Sequence, residues 1–200
     1  MIAMNRRVVP LLFGTLSCGI VLTLWACTPV RPRPTALNGA TFEPAINLPE
    51  LTFRRSDSGT FTAADTRGRT SLFFFGYTHC PDVCALTLTE FGQIRRALGS
   101  NAAVDMYFVT LDPARDTPEW MRTYVANFPG VVGLIGSDAE LAKVQSVFNV
   151  VAERRDLSGG DYALDHTAAT YLVNSSSQIQ LAYPYGTSPD EIVADLRRLR

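Results

Sequence analysis

The chain has 200 residues, 46% of them apolar, and its 18 basic and 19 acidic side chains leave a net charge of −1. This length and apolar content suffice for one buried core, so a globular protein is expected. The near balance of charge argues against a nucleic-acid binder. Lys143 is the only lysine in the sequence, and this scarcity argues against lysine-based covalent chemistry.

Residues 1–26 are predicted to be a signal peptide of the lipoprotein type. Arg6 and Arg7 precede an uncharged apolar run, as in export signals. The run ends at Cys27 in a sequence that resembles a bacterial lipoprotein box, in which this cysteine carries the lipid. The run is also near the length that spans a bilayer, so an uncleaved signal anchor is an open alternative. Either form tethers an exported domain to a bacterial membrane, facing the periplasm or another extracytoplasmic space.

Residues 27–37 are predicted to be a tether, because prolines alternate with other residues and favour an extended spacer. Neither a repeat nor a second linker follows in the sequence, so residues 38–200 are expected to form one domain. Its first predicted element is a β-hairpin with strands at 51–54 and 60–62. A continuous apolar run at 71–77 then predicts a central strand that is buried on both faces.

After that strand, units of one strand and one helix follow each other. From Val83 apolar residues recur at helical spacing until Gly99, which ends the predicted helix. The later predicted strands lie at 104–111, 131–135, 169–173 and 179–183, and helices are predicted to begin at the capping residues Thr117, Ser137 and Ser188. Parallel units followed by an antiparallel pair and a helix predict an α/β thioredoxin-like sandwich with an N-terminal β-hairpin extension.

The chemistry is expected at Cys80 and Cys84, which flank three residues where the first helix opens. A helix N-terminus favours thiolates, and residues four apart share a helix face, so the two sulfurs can converge. A structural disulfide, a redox pair and half of a metal site are the open interpretations. The spacing, one residue longer than in thioredoxin-type motifs, leaves room for a bridging ion, and two thiolates favour Cu(I) over Zn(II).

A copper site would need a third ligand, and the chain has two histidines that could supply it. His79 directly precedes Cys80, which makes ligation by both side chains awkward. His166 lies just before a predicted strand, in a loop expected to face the cysteines, and Asp165 is expected to orient its imidazole. The alternative for His166 is an ordinary polar loop residue. The preceding residues 153–165, which include two adjacent glycines, are expected to form a mobile loop.

Three sequence blocks resemble the signatures of the SCO/SenC family. They read FGYTHCPDVC at 75–84, VTLDPARDTPE at 109–119 and DHTAATYL at 165–172, and the similarity covers about residues 45–200. The resemblance implies a membrane-tethered, thioredoxin-like copper protein that assists assembly of the binuclear copper centre of cytochrome c oxidase. By position it implies that the copper ligands are Cys80, Cys84 and His166.

Two positions depart from the family pattern: Ala85 stands where a proline is common, and Thr167 where a serine is frequent. Neither departure removes a predicted ligand. The block at 109–119 is expected to be architectural, with Asp112 and Thr117 satisfying N–H groups of the turn and the helix cap.

These observations support three functional hypotheses. The first is a metallochaperone that binds Cu(I) or Cu(II) and passes it to the copper-receiving subunit of cytochrome c oxidase or to another copper protein. The second is a thiol–disulfide oxidoreductase that reduces the cysteines of a copper-receiving protein, with Cys80 attacking and Cys84 resolving. The third, peroxidase chemistry at Cys80, has only Arg115 and Thr117 in its favour.

Overall fold

The computed structural model describes residues 36–99 and 102–199. The predicted signal peptide, Cys27 and all but the last two residues of the predicted tether lie outside these ranges, so their roles stay predictions. Within the described ranges no helix combines the length and the apolar character needed to cross a membrane.

The described ranges contain ten strands and four α-helices. The strands are β1 Ala40–Asn47, β2 Thr52–Arg55, β3 Thr60–Thr62, β4 Thr70–Gly76, β5 Val104–Thr110, β6 Val131–Ile135, β7 Ala152–Asp156, β8 Tyr162–His166, β9 Ala169–Val173 and β10 Gln178–Pro184. The helices are α1 Val83–Leu98, α2 Pro118–Val125, α3 Asp138–Phe148 and α4 Pro189–Arg198.

Eight strands form one mixed sheet in the order β1-β10-β9-β4-β5-β6-β2-β3. Strands β4, β5 and β6 are parallel, and antiparallel strands flank them, with β9 beside β4 and β2 beside β6. The predicted hairpin forms β2 and β3 at the opposite edge, where β2 pairs with β6. This arrangement of a central sheet with helices confirms the predicted α/β thioredoxin-like fold.

The core lies on both faces of the sheet because successive strand side chains point to opposite sides. In β4, Leu72 and Phe74 face α1, α2 and α4, whereas Phe73 and Phe75 face α3 and the β2–β3 hairpin. All four side chains are buried. A buried phenylalanine contributes about 1.5–3 kcal/mol, so β4 is anchored firmly from both sides.

The segment expected to be a mobile loop is instead largely an antiparallel hairpin. Strands β7 and β8 pair with each other, from Ala152 opposite His166 to Asp156 opposite Tyr162, and form a separate two-stranded sheet. The sequence AERRD of β7 is polar and mostly exposed, so it lacks the alternating apolar pattern by which strands are recognised. His166 therefore lies at the end of a paired strand.

Candidate metal centre

The loop between β4 and α1 brings the two cysteines together. The N–H group of Cys80 donates to the carbonyl of Tyr77 at 3.2 Å and closes a turn. Helix α1 begins at Val83, so only Cys84 lies in its first turn, and Cys80 precedes the helix rather than opening it as expected. Both cysteines are free thiols, with Cys84 buried and Cys80 partly exposed.

A buried carboxylate holds this loop against the neighbouring strand. Asp116, which is fully buried, accepts hydrogen bonds from the backbone N–H of Thr78 at 3.0 Å and from its hydroxyl at 2.6 Å. It also accepts one from the hydroxyl of Thr110 at 2.6 Å. The indole of Trp120 donates to Thr78 at 2.7 Å from the other side. Sequence reasoning assigned Asp116 no role, although its place within the block at 109–119 pointed to this region.

The end of β8 presents His166 to the cysteines. Its Nε2 lies 3.6 Å from Sγ of Cys84, and its ring packs edge-on against Phe74 and Tyr77, with centroids 6.2 and 5.9 Å away. Its Nδ1 lies 3.2 Å from the carbonyl oxygen of Thr167. A carbonyl oxygen only accepts, so this hydrogen bond requires the proton on Nδ1 and leaves the lone pair of Nε2 facing the cysteines.

Asp165 does not take the expected place beside the imidazole. Its carboxylate accepts a hydrogen bond from Nε of Arg155 at 3.0 Å, and both side chains are more than half exposed. Neighbouring residues of a strand point to opposite faces, so Asp165 turns away when His166 turns inward. The hydrogen bond at Nδ1 is made by the Thr167 carbonyl instead.

The sulfurs of Cys80 and Cys84 and a ring nitrogen of His166 lie within 4.8 Å of one another. Among the described residues they are the one group of at least three His, Cys, Asp or Glu side chains that could hold a metal ion. Two sulfurs and one imidazole form a soft donor set that suits copper, Cu(I) in particular. The Nδ1 of His79 instead lies 3.1 Å from the Thr78 hydroxyl and 3.5 Å from Asp116.

The two thiols are electrostatically unequal. The hydrogen bond with the Cys84 thiol is the main cause that lowers the pKa of Cys80, against the opposing effect of burial. The same hydrogen bond, together with burial, raises the pKa of Cys84. These opposite shifts favour a thiolate at Cys80 and a protonated thiol at Cys84.

An open groove of about 330 Å³ runs beside Cys80, between the start of α1 and strand β8. Its walls include Tyr77, Pro81, Val83 and Leu164. The groove gives a second molecule access to Cys80, whereas Cys84 is shielded in the core.

Known proteins with the same fold and similar sequence support this description. The SCO1/SenC family profile matches residues 43–200. The copper-bound structure of ScoI from Bradyrhizobium japonicum is 37% identical, with a TM-score of 0.71 over 78% of this chain and 100% of that chain. An SCO2-like protein of Rickettsia felis is 29% identical over 196 residues, 95% of this chain and 93% of its own length. The mitochondrial SCO2 homolog of Homo sapiens is 36% identical over 141 residues, which are 68% of this chain and 53% of the human protein. The chain therefore belongs to the SCO1/SenC family.

Proposed function

We propose that this protein is a copper metallochaperone that assists assembly of the binuclear copper centre of cytochrome c oxidase. In this proposal copper is the cargo, and Cys80, Cys84 and His166 hold it. The observation that carries the proposal is the convergence of their two sulfurs and one imidazole nitrogen within 4.8 Å. The related ScoI, 37% identical, was solved with copper bound, which supports the choice of metal.

The unequal exposure of the ligands favours a carrier over a permanent store. Cys84 is buried, whereas Cys80 is partly exposed at the open groove. A ligand of a receiving protein can therefore approach copper from the side of Cys80 while Cys84 and His166 still hold it. The proposal places the domain outside the cytoplasm, anchored to the membrane through lipid on Cys27 or an uncleaved signal anchor.

Copper titration of the full-length protein in detergent tests the site. We expect one copper ion per chain, and we expect Cys80→Ser, Cys84→Ser and His166→Ala each to lower the affinity by more than about tenfold, because each removes a ligand. His79→Ala is the matched control, since His79 is the other histidine and lies outside the ligand group. If His166→Ala bound copper as tightly as His79→Ala, the three-ligand site would be wrong.

A second function, thiol–disulfide exchange, is favoured by the two cysteine sulfurs, which lie within 4.8 Å of each other, and by the lowered pKa of Cys80. The Cys80 thiolate would attack a disulfide of the partner and release one partner sulfur as a thiolate. Cys84, after losing its proton, would then attack the mixed disulfide. The partner leaves as a dithiol, and this chain keeps a Cys80–Cys84 disulfide, so two electrons pass to the partner.

This second function is tested with copper removed by a chelator. The reduced full-length protein is mixed with the oxidised copper-receiving subunit, and free thiols of the subunit are counted. Cys84→Ser should accumulate the mixed disulfide through Cys80, and Cys80→Ser should be inactive. A subunit that stays oxidised in the presence of the reduced wild-type protein would exclude electron delivery.

A further inference from the structure

One short turn contacts both of the segments that carry the ligands of the proposed metal centre. We infer that residues 112–116, here called the bracket, fix the position of His166 relative to the two cysteines, with Arg115 and Asp116 as positioning residues. The inference rests on the proposed function, because it concerns the same three ligands. It assigns the bracket a role in copper binding although none of its side chains belongs to the ligand group.

The bracket is itself held in one conformation by its own hydrogen bonds. The N–H groups of Arg115 and Asp116 both donate to the carbonyl of Asp112, at 3.2 and 2.9 Å. The N–H of Asp112 donates to the hydroxyl of Thr110 at 2.9 Å. These bonds fix the directions in which the two adjacent side chains, Arg115 and Asp116, leave the turn.

Asp116 reaches the cysteine side. Its buried carboxylate takes two hydrogen bonds from Thr78, which lies two residues before Cys80. Hydrogen bonds to a charged, buried acceptor are among the stronger ones in proteins. The loop that carries the cysteines is thus tied to the bracket at Thr78.

Arg115 reaches the histidine side. Its Nη1 donates to the carbonyl of Tyr162 at 2.8 Å and to the carboxylate of Asp161 at 2.9 Å, and its guanidinium lies 3.5 Å from the centre of the Tyr162 ring. The Tyr162 hydroxyl donates to the carboxylate of Asp112 at 2.7 Å, and the same carboxylate pairs with Arg115. Tyr162 is therefore bound to the bracket through its carbonyl, its ring and its hydroxyl.

Strand geometry connects this attachment to the ligand. Tyr162 and His166 are the first and last residues of β8. Residues four apart in a strand point to the same face and lie about 13 Å apart along it. Tyr162 therefore turns toward the bracket on the same side on which His166 turns toward the cysteines. Loss of the attachment at Tyr162 would leave the polar, mostly exposed hairpin with fewer contacts to the domain and His166 less well placed.

The chain offers a matched control in Arg154, whose guanidinium lies 3.9 Å from the centre of the same Tyr162 ring. Arg154 belongs to β7, so its contact with Tyr162 stays within the hairpin, whereas Arg115 connects the hairpin to the rest of the domain. Arg115→Met and Arg154→Met thus each remove one guanidinium group from the Tyr162 ring. Only Arg115→Met also removes contacts between the hairpin and the bracket.

The first measurement uses hydrogen–deuterium exchange on the copper-free, full-length protein. Arg115→Met should speed exchange of the β7 and β8 amides by roughly tenfold or more, since hydrogen bonds of a charged group to the hairpin are lost. Exchange in β4 and β5 should stay as in the wild type, and Arg154→Met should leave the hairpin close to the wild type. Unchanged hairpin exchange in Arg115→Met would overturn the inference.

The second measurement is copper affinity. Arg115→Met should lower this affinity about tenfold, a typical loss when a residue that orients a metal ligand is removed. In a His166→Ala background, Arg115→Met should cost nothing further, because a histidine that is absent cannot be displaced. An equal loss in both backgrounds would mean that Arg115 acts through the fold in general, and the bracket would be refuted. Tyr162→Phe, which removes only the hydroxyl bonded to Asp112, should give a smaller loss of the same kind and serves if Arg115→Met does not fold.

These outcomes separate the two proposals. If His166→Ala weakens copper binding and Arg115→Met does not, the copper site stands and the bracket falls. If His166→Ala leaves copper binding unchanged, the three-ligand site falls, and so does the role of the bracket in placing a ligand.

Discussion

Gly76, the last residue of β4, packs closely against the proposed site. A Cβ atom added there would lie 2.6 Å from Sγ of Cys84 and 3.0 Å from Cε2 of Phe108. Both neighbours are fully buried and have little room to move. The missing side chain at position 76 therefore provides the space that the Cys84 sulfur occupies.

The cost of Gly76→Ala follows from these distances. Non-bonded heavy atoms in good contact are roughly 3.5–4.0 Å apart, so the added methyl group requires the sulfur to retreat by about 1 Å. Overpacking of this kind in a well-filled core costs about 1–3 kcal/mol of unfolding free energy. The displaced sulfur also leaves its place among the three ligand atoms, so copper affinity should fall in the same variant.

Gly92→Ala in α1 is the matched control, because a Cβ there would meet only Nη1 of Arg96 at 3.5 Å. In a helix interior this change should raise the unfolding free energy by about 0.5–1 kcal/mol. Urea unfolding of the copper-free proteins gives the free energies, and competition with a copper chelator gives the affinities. The reasoning would be refuted if Gly76→Ala unfolded at the same urea concentration as the wild type or a higher one and bound copper equally well.

Three further predictions concern single groups. The pKa of Cys80 is lowered, so its thiolate persists below the ordinary thiol pKa of about 8.5. The rate of its alkylation by iodoacetamide in copper-free protein should therefore stay nearly level from about pH 8 to about pH 6. Cys84→Ala should restore a rate that falls as the pH falls, and a steep fall in the wild type would contradict the assignment. Asp165→Asn should change copper affinity by less than about twofold, because its carboxylate is engaged in an exposed pair with Arg155, and a tenfold loss in the competition titration would restore the role expected from the sequence. Asp195→Ala should lower the free energy of unfolding in urea by about 1–3 kcal/mol. Its buried carboxylate accepts hydrogen bonds from the N–H groups of Asn38 and Gly39 at 2.8 and 3.1 Å. Asp190→Ala, at an exposed position, is the control, and equal unfolding midpoints for the two variants would contradict the prediction.

Local sequence patterns determined much of the fold and pointed to the cysteine pair as the candidate site. The apolar run at 71–77 and the helical spacing after Val83 reflect which nearby positions are buried. The structure contains both predicted elements, as β4 and α1. The cysteines must lie close together because only three residues separate them. Residue types alone left His166 as one of two candidate histidines. The block at 165–172, which resembles a family motif, favoured it, and the fold shows its ring beside the Cys84 sulfur.

The tertiary structure decided what depends on contacts between distant segments. The β7–β8 hairpin is built from polar residues and is held by strand pairing and by Arg115, so its sequence carries no apolar period to reveal it. The segment with Asp165 forms a strand rather than a loop, and neighbouring strand residues point to opposite faces. Asp165 therefore points outward, because His166 points inward. Asp116 acquired its role from Thr78, which lies 38 positions away in the chain. The sequence alone determined which atoms could bind copper; which of them meet, and what holds them there, depends on long-range packing and hydrogen bonds that only the folded chain makes.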